Sequence, residues 1–147
     1  MIKKLINKFK KTPRTVFSFK QAVELIGMPC ATFRQGKNAF NFLLDTGSSD
    51  SVIDSNIINK IKHAKVATDY FLSGLEGNKK LVGTCHIDLE YEGNTYDDNF
   101  LVSDMKEIFS AIKKDTGVTL HGILGVNFFN KYKYILDFEN LAAYSKP

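Results

Sequence analysis

The stretch Phe42-Leu43-Leu44-Asp45-Thr46-Gly47-Ser48-Ser49 decides the reading of this chain. Three apolar residues run without a break into an Asp-Thr-Gly-Ser-Ser turn, the pattern of a buried strand that ends abruptly. A carboxylate at the mouth of such a strand is costly to desolvate unless something satisfies it. Two carboxylates set side by side share one proton, and such a pair activates water at a peptide bond. Asp45 therefore reads as half of a pair, and the other half has to be found.

A second Asp-Thr-Gly occurs at Asp115-Thr116-Gly117, in different surroundings. Met105, Ile108, Phe109 and Ile112 precede it at helical spacing, with Asp104 as the cap. Lys113 and Lys114 fall in the last turn, where cations suit the negative end of the helix dipole. Gly117 is a good left-handed stop. No apolar strand leads into this triplet, so it predicts a helix C-terminus rather than an aimed carboxylate.

Further along, Gly122-Ile123-Leu124-Gly125-Val126-Asn127-Phe128-Phe129 sets two apolar residues and a glycine before a short helix. The chain closes on Tyr134-Ile135-Leu136-Asp137-Phe138-Glu139-Asn140-Leu141-Ala142-Ala143-Tyr144, a hairpin pattern. The Asp45 turn, this second signature and the strand-like sequence between them, in that order, resemble a retropepsin-type aspartic protease, the single-lobe relative of pepsin. The closing hairpin resembles bacterial-type members, and the likeness runs from about residue 28 to about residue 145.

The resemblance implies an all-β fold: a closed acid-protease barrel with a few short helices, one lobe per chain. The active site then forms at a two-fold dimer interface, with the same patch on both subunits. Each subunit of such a homodimer contributes one Asp45, which supplies the missing partner. Thr46 hydrogen-bonds across the axis, and the Gly47 backbone approaches the carboxylate where a side chain would obstruct it. Ile123, Leu124 and Gly125 pack around the turn. The substrate is an extended polypeptide, and no cofactor is implied. Many viral members carry Ala, an acid and Arg at the positions of Ser48, Ser49 and Val126, and an ion pair between the acid and the Arg cannot form here. Ser48 instead resembles pepsin lobes, whose hydroxyl supports the outer oxygen of the aspartate.

The rest of the chain predicts short elements. Ser18-Phe19-Lys20-Gln21 fits a capping box for a helix that ends at Gly27 and packs outside the barrel. Cys30–Arg34 and Ala39–Leu44 form a hairpin that delivers Asp45, and Val52–Asp54 continues the sheet. Asp54, an acid near the site, reads more economically as a helix cap. Strands over 66–73 and 80–90 flank Gly74-Leu75-Glu76-Gly77-Asn78. An ordinary hairpin has this pattern too, but its position between the two signatures matches the family's flap, whose glycines at both shoulders suit a mobile tip. A further hairpin turns at Glu92-Gly93-Asn94, and the many short strands with Gly/Asn turns argue for a closed β architecture.

Composition bounds the alternatives. At 147 residues, with 44% hydrophobic and 24% charged content, this is one globular domain. Residues 1–17 form a basic segment in which Ile2, Leu5, Ile6 and Phe9 recur at amphipathic spacing, and residues 18–147 form the protease-like domain. The segment suits membrane-surface contact, nucleic-acid contact, a removable cover for the cleft, or a packed terminal helix. Nothing else in the chain supports a membrane or phosphate ligand, so the packed helix is the reading adopted. Cys30 and Cys85 lie far apart without CxxC spacing and read as buried thiols in a reducing, cytoplasmic setting, with one disulfide as the alternative.

Competing chemistries find little support. His63, His86 and His121 lack metal spacing, which predicts no metal site. His121 lies near the second signature but reads as a loop histidine. Ser48 and Ser49 sit in no GxSxG elbow, no glycine loop cradles phosphate, and basic residues are not interleaved with aromatics for nucleic acid. The expected function is an aspartic endopeptidase built on two Asp45 residues. The alternative is a catalytically silent β-domain of the same fold that binds peptides or mediates dimerisation.

Overall fold

The computed structural model describes residues 16–73 and 79–146. Helix α1 spans Phe19–Ile26 and is followed by β1 (Cys30–Gln35), β2 (Asn38–Leu44) and β3 (Ser51–Asp54). A 3-10 helix over Ser55–Lys60 leads to β4 (Ala64–Ser73), β5 (Lys79–Tyr91) and β6 (Asn94–Ser103). Then come α2 (Lys106–Thr116), β7 (Gly122–Leu124), α3 (Val126–Tyr132), β8 (Ile135–Asp137) and β9 (Ala142–Tyr144).

The main sheet runs β1-β2-β7-β3-β6-β5-β4, and Arg34 of β1 also pairs with Glu90 of β5. That pairing closes six strands into a barrel and leaves β4 lying outside on β5. The seam is stitched by a side chain as well. The Gln35 amide donates to the carbonyls of Lys62 (2.8 Å) and Asp88 (2.9 Å) and accepts the Lys62 amide (2.9 Å). Phe33, Phe42, Phe100 and Phe128 meet inside with Leu44, Ile53, Ile87 and Leu124. Phe33 alone has edge or stacked contacts with Phe42, Tyr91, Tyr96 and Phe128. Aromatic pairs of this kind each add about 1 kcal/mol beyond the area they bury.

Local chemistry accounts for the ends of the elements. Ser18 and Gln21 form the capping box of α1, and Gly27 closes it in a left-handed conformation. The β5–β6 turn is tighter than its sequence suggests: Glu92 (φ 49°) and Gly93 (φ 81°) alone make it, and Asn94 already pairs with Tyr91. Two left-handed residues match the twist of the flanking strands. Phe17 is buried beside β1, where its amide donates to Thr32 Oγ1 (2.6 Å) and its carbonyl accepts the Thr32 amide (2.9 Å). Of the basic segment read over residues 1–17, only Val16 and Phe17 fall among the described residues. β8 and β9 form a separate two-stranded sheet, the predicted closing hairpin. Helix α1 packs outside the barrel against β1 and β9, and Phe19 meets Phe138 edge-on.

Candidate active site

β2 carries Asp45 to the rim of the barrel. Leu44 is fully buried and pairs with Leu124 of β7 in parallel register, and the Asp45 amide donates to the Leu124 carbonyl at 3.0 Å. The chain then folds back: the Ser48 amide donates to the Asp45 carbonyl (3.2 Å) and the Gly47 amide to Asp45 Oδ1 (2.8 Å). A Cβ on Gly47 would lie 3.1 Å from that oxygen, closer than side chains normally come. Asp45 is half-buried, while Thr46 and Gly47 are exposed at the tip. Its backbone is thus fixed while its carboxylate remains open to a ligand.

The second signature is wedged into this turn. β7 lies between β2, which leads in, and β3, which leads out, pairing parallel with the first and antiparallel with the second. The first amides of α3 have no partner within their own helix. Val126 donates to the Ser48 carbonyl (2.8 Å) and Asn127 to the Ser49 carbonyl (3.1 Å). Gly125 permits the approach. A Cβ there would sit 2.5 Å from the Asp50 carbonyl oxygen and 2.8 Å from that of Ser48, both backbone atoms.

Polar side chains hold the junction from beneath. Ser51 Oγ accepts the Gly125 amide at 3.1 Å and lies 2.8 Å from Asp98 Oδ2 and 3.0 Å from Asn127 Oδ1. Asn127 Nδ2 donates back to Asp98 (3.2 Å), and the Asn99 amide donates to Asp98 Oδ1 (2.9 Å). Asp98 is buried, and that burial raises its pKa despite the hydrogen bonds from Ser51 and Asn99. Sequence reading passed over Ser51 and Asp98, and quoted Asn127 in the second signature without a role. The available signal was an acidic doublet, Asp97-Asp98, in a strand where one of two neighbours must face inward.

A second group braces β2 from behind. Asn41, also buried, accepts from Thr32 Oγ1 (2.6 Å), donates its Nδ2 to the Thr119 carbonyl (2.9 Å), and donates its amide to His121 Nδ1 (2.8 Å). Burial, and after it the charge of Lys60, lowers the pKa of His121. His121 is thus a neutral brace for β2.

The other acids lie elsewhere. Asp115 is exposed in the last turn of α2, and Gly117 (φ 79°) caps that helix by donating its amide to Lys113 (2.8 Å). Asp54 caps the 3-10 helix through the Asn56 amide (3.2 Å) and also accepts the Met105 amide (3.1 Å). One expected contact differs. The Ser48 hydroxyl donates to the Asp50 carbonyl (2.7 Å) rather than to Asp45, because the curled loop brings that carbonyl over it. Gly74, Leu75, Glu76 and Gly77, read as the flap, lie outside the described residues.

Among the described residues, His86, Asp88 and Asp97 bring three ligand-type atoms within 4.8 Å of one another. They lie on adjacent strands β5 and β6 at positions open to solvent, and Asp97 is engaged by Lys131 Nζ (3.1 Å) and the Tyr132 hydroxyl. Those contacts account for the cluster as a surface ion-pairing group. A polar groove of 510 Å³, lined by Arg34, Lys62, His63, Asp88 and Glu90, also takes in Asn38. Asn38 begins β2 and Asp45 follows its end, so this groove is remote from the turn. The turn and its wedge are the stronger candidate, because there a half-exposed carboxylate is fixed by converging backbone groups.

Neither a protein-family model nor a curated protein sequence matches the chain. Its fold is similar to that of a retroviral enzyme, the EIAV protease solved in complex with the inhibitor HBY-793. The TM-score is 0.51 at 18% identity, and the likeness covers 73% of this chain and 89% of the viral one. At that identity the likeness speaks for architecture alone. With the closed six-strand barrel and the Asp45 turn wedged by β7, it establishes a retropepsin-like, single-lobe fold for this chain.

Proposed function

We propose that this chain is an aspartic endopeptidase that acts as a homodimer, with one Asp45 from each subunit forming the catalytic pair. The observation that carries this reading is the seating of Asp45. Its backbone is bonded to β7, its Oδ1 accepts the Gly47 amide, and its carboxylate stands half-exposed at the rim of a fold whose similar solved structure is a protease. A lobe of this kind holds one such aspartate, so the pair requires a second chain. Assignment to the bacterial-type subgroup rests on the β8–β9 hairpin, and a cytoplasmic setting on two buried free thiols, Cys30 and Cys85.

In the proposed reaction an extended polypeptide lies across the two-fold axis, held through its backbone like an added strand. One Asp45 is ionised and takes a proton from the water between the pair, while the protonated one polarises the scissile carbonyl. The roles reverse as the tetrahedral intermediate collapses and the amine leaves with a proton. Sharing one proton between two like carboxylates gives a bell-shaped rate profile. In this reading Thr46, exposed at the tip, bonds its counterpart across the axis.

Incubating a diverse peptide mixture with wild type and Asp45→Asn from about pH 3 to about pH 8 tests this, with subunit mass recorded on the same samples. Cleavage by a dimer that drops at least about a thousandfold in Asp45→Asn, with unfolding unchanged, is the expected result. A folded dimer that cuts nothing at any pH would instead favour a silent peptide-binding or dimerisation module.

A further inference from the structure

Ser51 has one hydroxyl hydrogen and two acceptors within reach, Asp98 Oδ2 at 2.8 Å and Asn127 Oδ1 at 3.0 Å. Its oxygen also accepts the Gly125 amide at 3.1 Å. Counting hydrogens therefore separates two states of the junction. With Asp98 ionised, the Ser51 hydrogen goes to the carboxylate, and Asn127 Oδ1 is left without it. With a proton on Asp98 Oδ2, the acid donates to Ser51 Oγ. That oxygen still accepts the Gly125 amide, and its own hydrogen turns to Asn127 Oδ1. All three side chains are then bonded in a closed ring.

The geometry points to Asp98 as a positioning residue for the Asp45 turn, whose uptake of one proton from solvent frees the Ser51 hydrogen for Asn127 Oδ1 and so closes the ring of bonds around the Gly125 amide beneath it. Asn127 and Gly125 are the residues on which the turn rests, since Ser49 and the Ser48–Asp50 backbone pack on them. The groups bearing on Asp98 favour this assignment. From β3 it meets only the uncharged Ser51. From α3 come Asn127 and, at longer range, Lys131, whose charge favours ionisation. From its own strand, Asp97 opposes ionisation, and burial is the largest influence against it. Tyr132, His86 and Asp88 reach Asp97 rather than Asp98. The expected consequence is a turn held more firmly in acid than at neutral pH.

As a claim about catalysis this rests on the proposed protease reading; as a claim about the turn it does not, and two measurements keep them apart. The first is amide hydrogen exchange, expressed as protection factors, in wild type, Asp98→Asn and Asp98→Ala from about pH 4 to about pH 7.5. Wild type should lose about fivefold protection at Gly125, Val126 and Asn127 as pH rises, the worth of one hydrogen bond. Asp98→Asn, which cannot ionise and donates permanently, should hold its protection throughout. Asp98→Ala should lack it at every pH, with Ile87 and Leu89 in the barrel unaffected. The second is the ratio of kcat in Asp98→Asn to kcat in wild type, expected to climb by about fivefold over the same range with KM unchanged. Protection in wild type that follows Asp98→Asn at every pH overturns the proposal, as does a pH-independent kcat ratio in an enzyme that cleaves. If exchange behaves as expected but no peptide is cut, the positioning role stands and the protease reading falls.

Discussion

Asp97 and Asp98 are neighbours on β6 with opposite fates, because successive residues of a strand face opposite ways. Asp97 points outward, where the Tyr132 hydroxyl foremost, and then Lys131, lower its pKa against some burial. Asp98 points inward, and burial raises its pKa. The linkage signs follow. Asp97 ionises more readily folded than unfolded, so it lends stability at neutral pH that is lost as pH falls below the ordinary value of 3.8. Asp98 keeps its proton longer when folded, so its cost appears as pH rises above that same value. Relative to wild type, the urea midpoint of Asp98→Asn should therefore climb between about pH 4 and about pH 7, whereas that of Asp97→Asn should lie below wild type throughout that range and close the gap only below 3.8. His121 works the other way round from Asp98. Its lowered pKa means that stability is whole above the ordinary value of 6.5 and is lost below it, as the unfolded chain takes up the proton. His121→Asn, which can still accept the Asn41 amide, should flatten the loss of urea midpoint between about pH 7 and about pH 5; an unchanged slope would remove His121 from the account. Sequence reading saw the carboxylate at a strand's mouth because the apolar run and the turn are both local. It singled out neither Asp97 nor Asp98, since the polar partners that hold Asp98 inward, Ser51 and Asn127, come from β3 and α3, far off in the chain.

Among the elements, β7 does the most with the least length. Three residues separate β2 from β3 and bond to both, and the glycine that follows lets two loop carbonyls come within contact of its Cα. Gly125→Ala should cost about 3 kcal/mol in urea unfolding, since the obstructing atoms are backbone and have no rotamer to change; a loss below about 0.5 kcal/mol would mean that the loop moves aside freely. Most of the elements were legible. The β1–β2 hairpin, the α1 capping box, the stop of α2 at Gly117 and the short helix after Gly125 all carry their own start or stop residues. The expected Asp104 cap is displaced: Met105 holds the cap position of α2 without a side-chain bond, and Asp104 accepts the Lys106 amide (3.0 Å) from one residue further out. Strand ends shifted by a residue or two: β4 begins at Ala64 and β5 reaches Tyr91, because pairing with a neighbour extends a strand past its apolar core. A closed barrel was expected, but which strands close it, β1 and β5, was not legible. The closure joins Arg34 to Glu90 and is braced by Gln35, three polar residues whose sequence context is that of any exposed strand end.

At the scale of the molecule, one lobe presents one Asp45, so the proposed activity belongs to an assembly. Specific activity should fall on dilution in step with the loss of dimer mass, and an excess of Asp45→Asn subunits should titrate wild-type activity away by forming heterodimers with a single carboxylate. Activity that persists unchanged in a monomer would refute the shared pair. The parallel pairing of β2 with β7 has a consequence for how the protein is made. Asp45 leaves the ribosome well before the strand that aims it and the amides that hold its turn, which come from residues 122–127. A nascent chain therefore carries the carboxylate without the means to point it, and at about ten residues per second several seconds pass before those residues arrive. For the proposed enzyme, synthesis order thus adds a second safeguard to the need for a partner: a half-made copy of this chain cannot attack its neighbours on the same message.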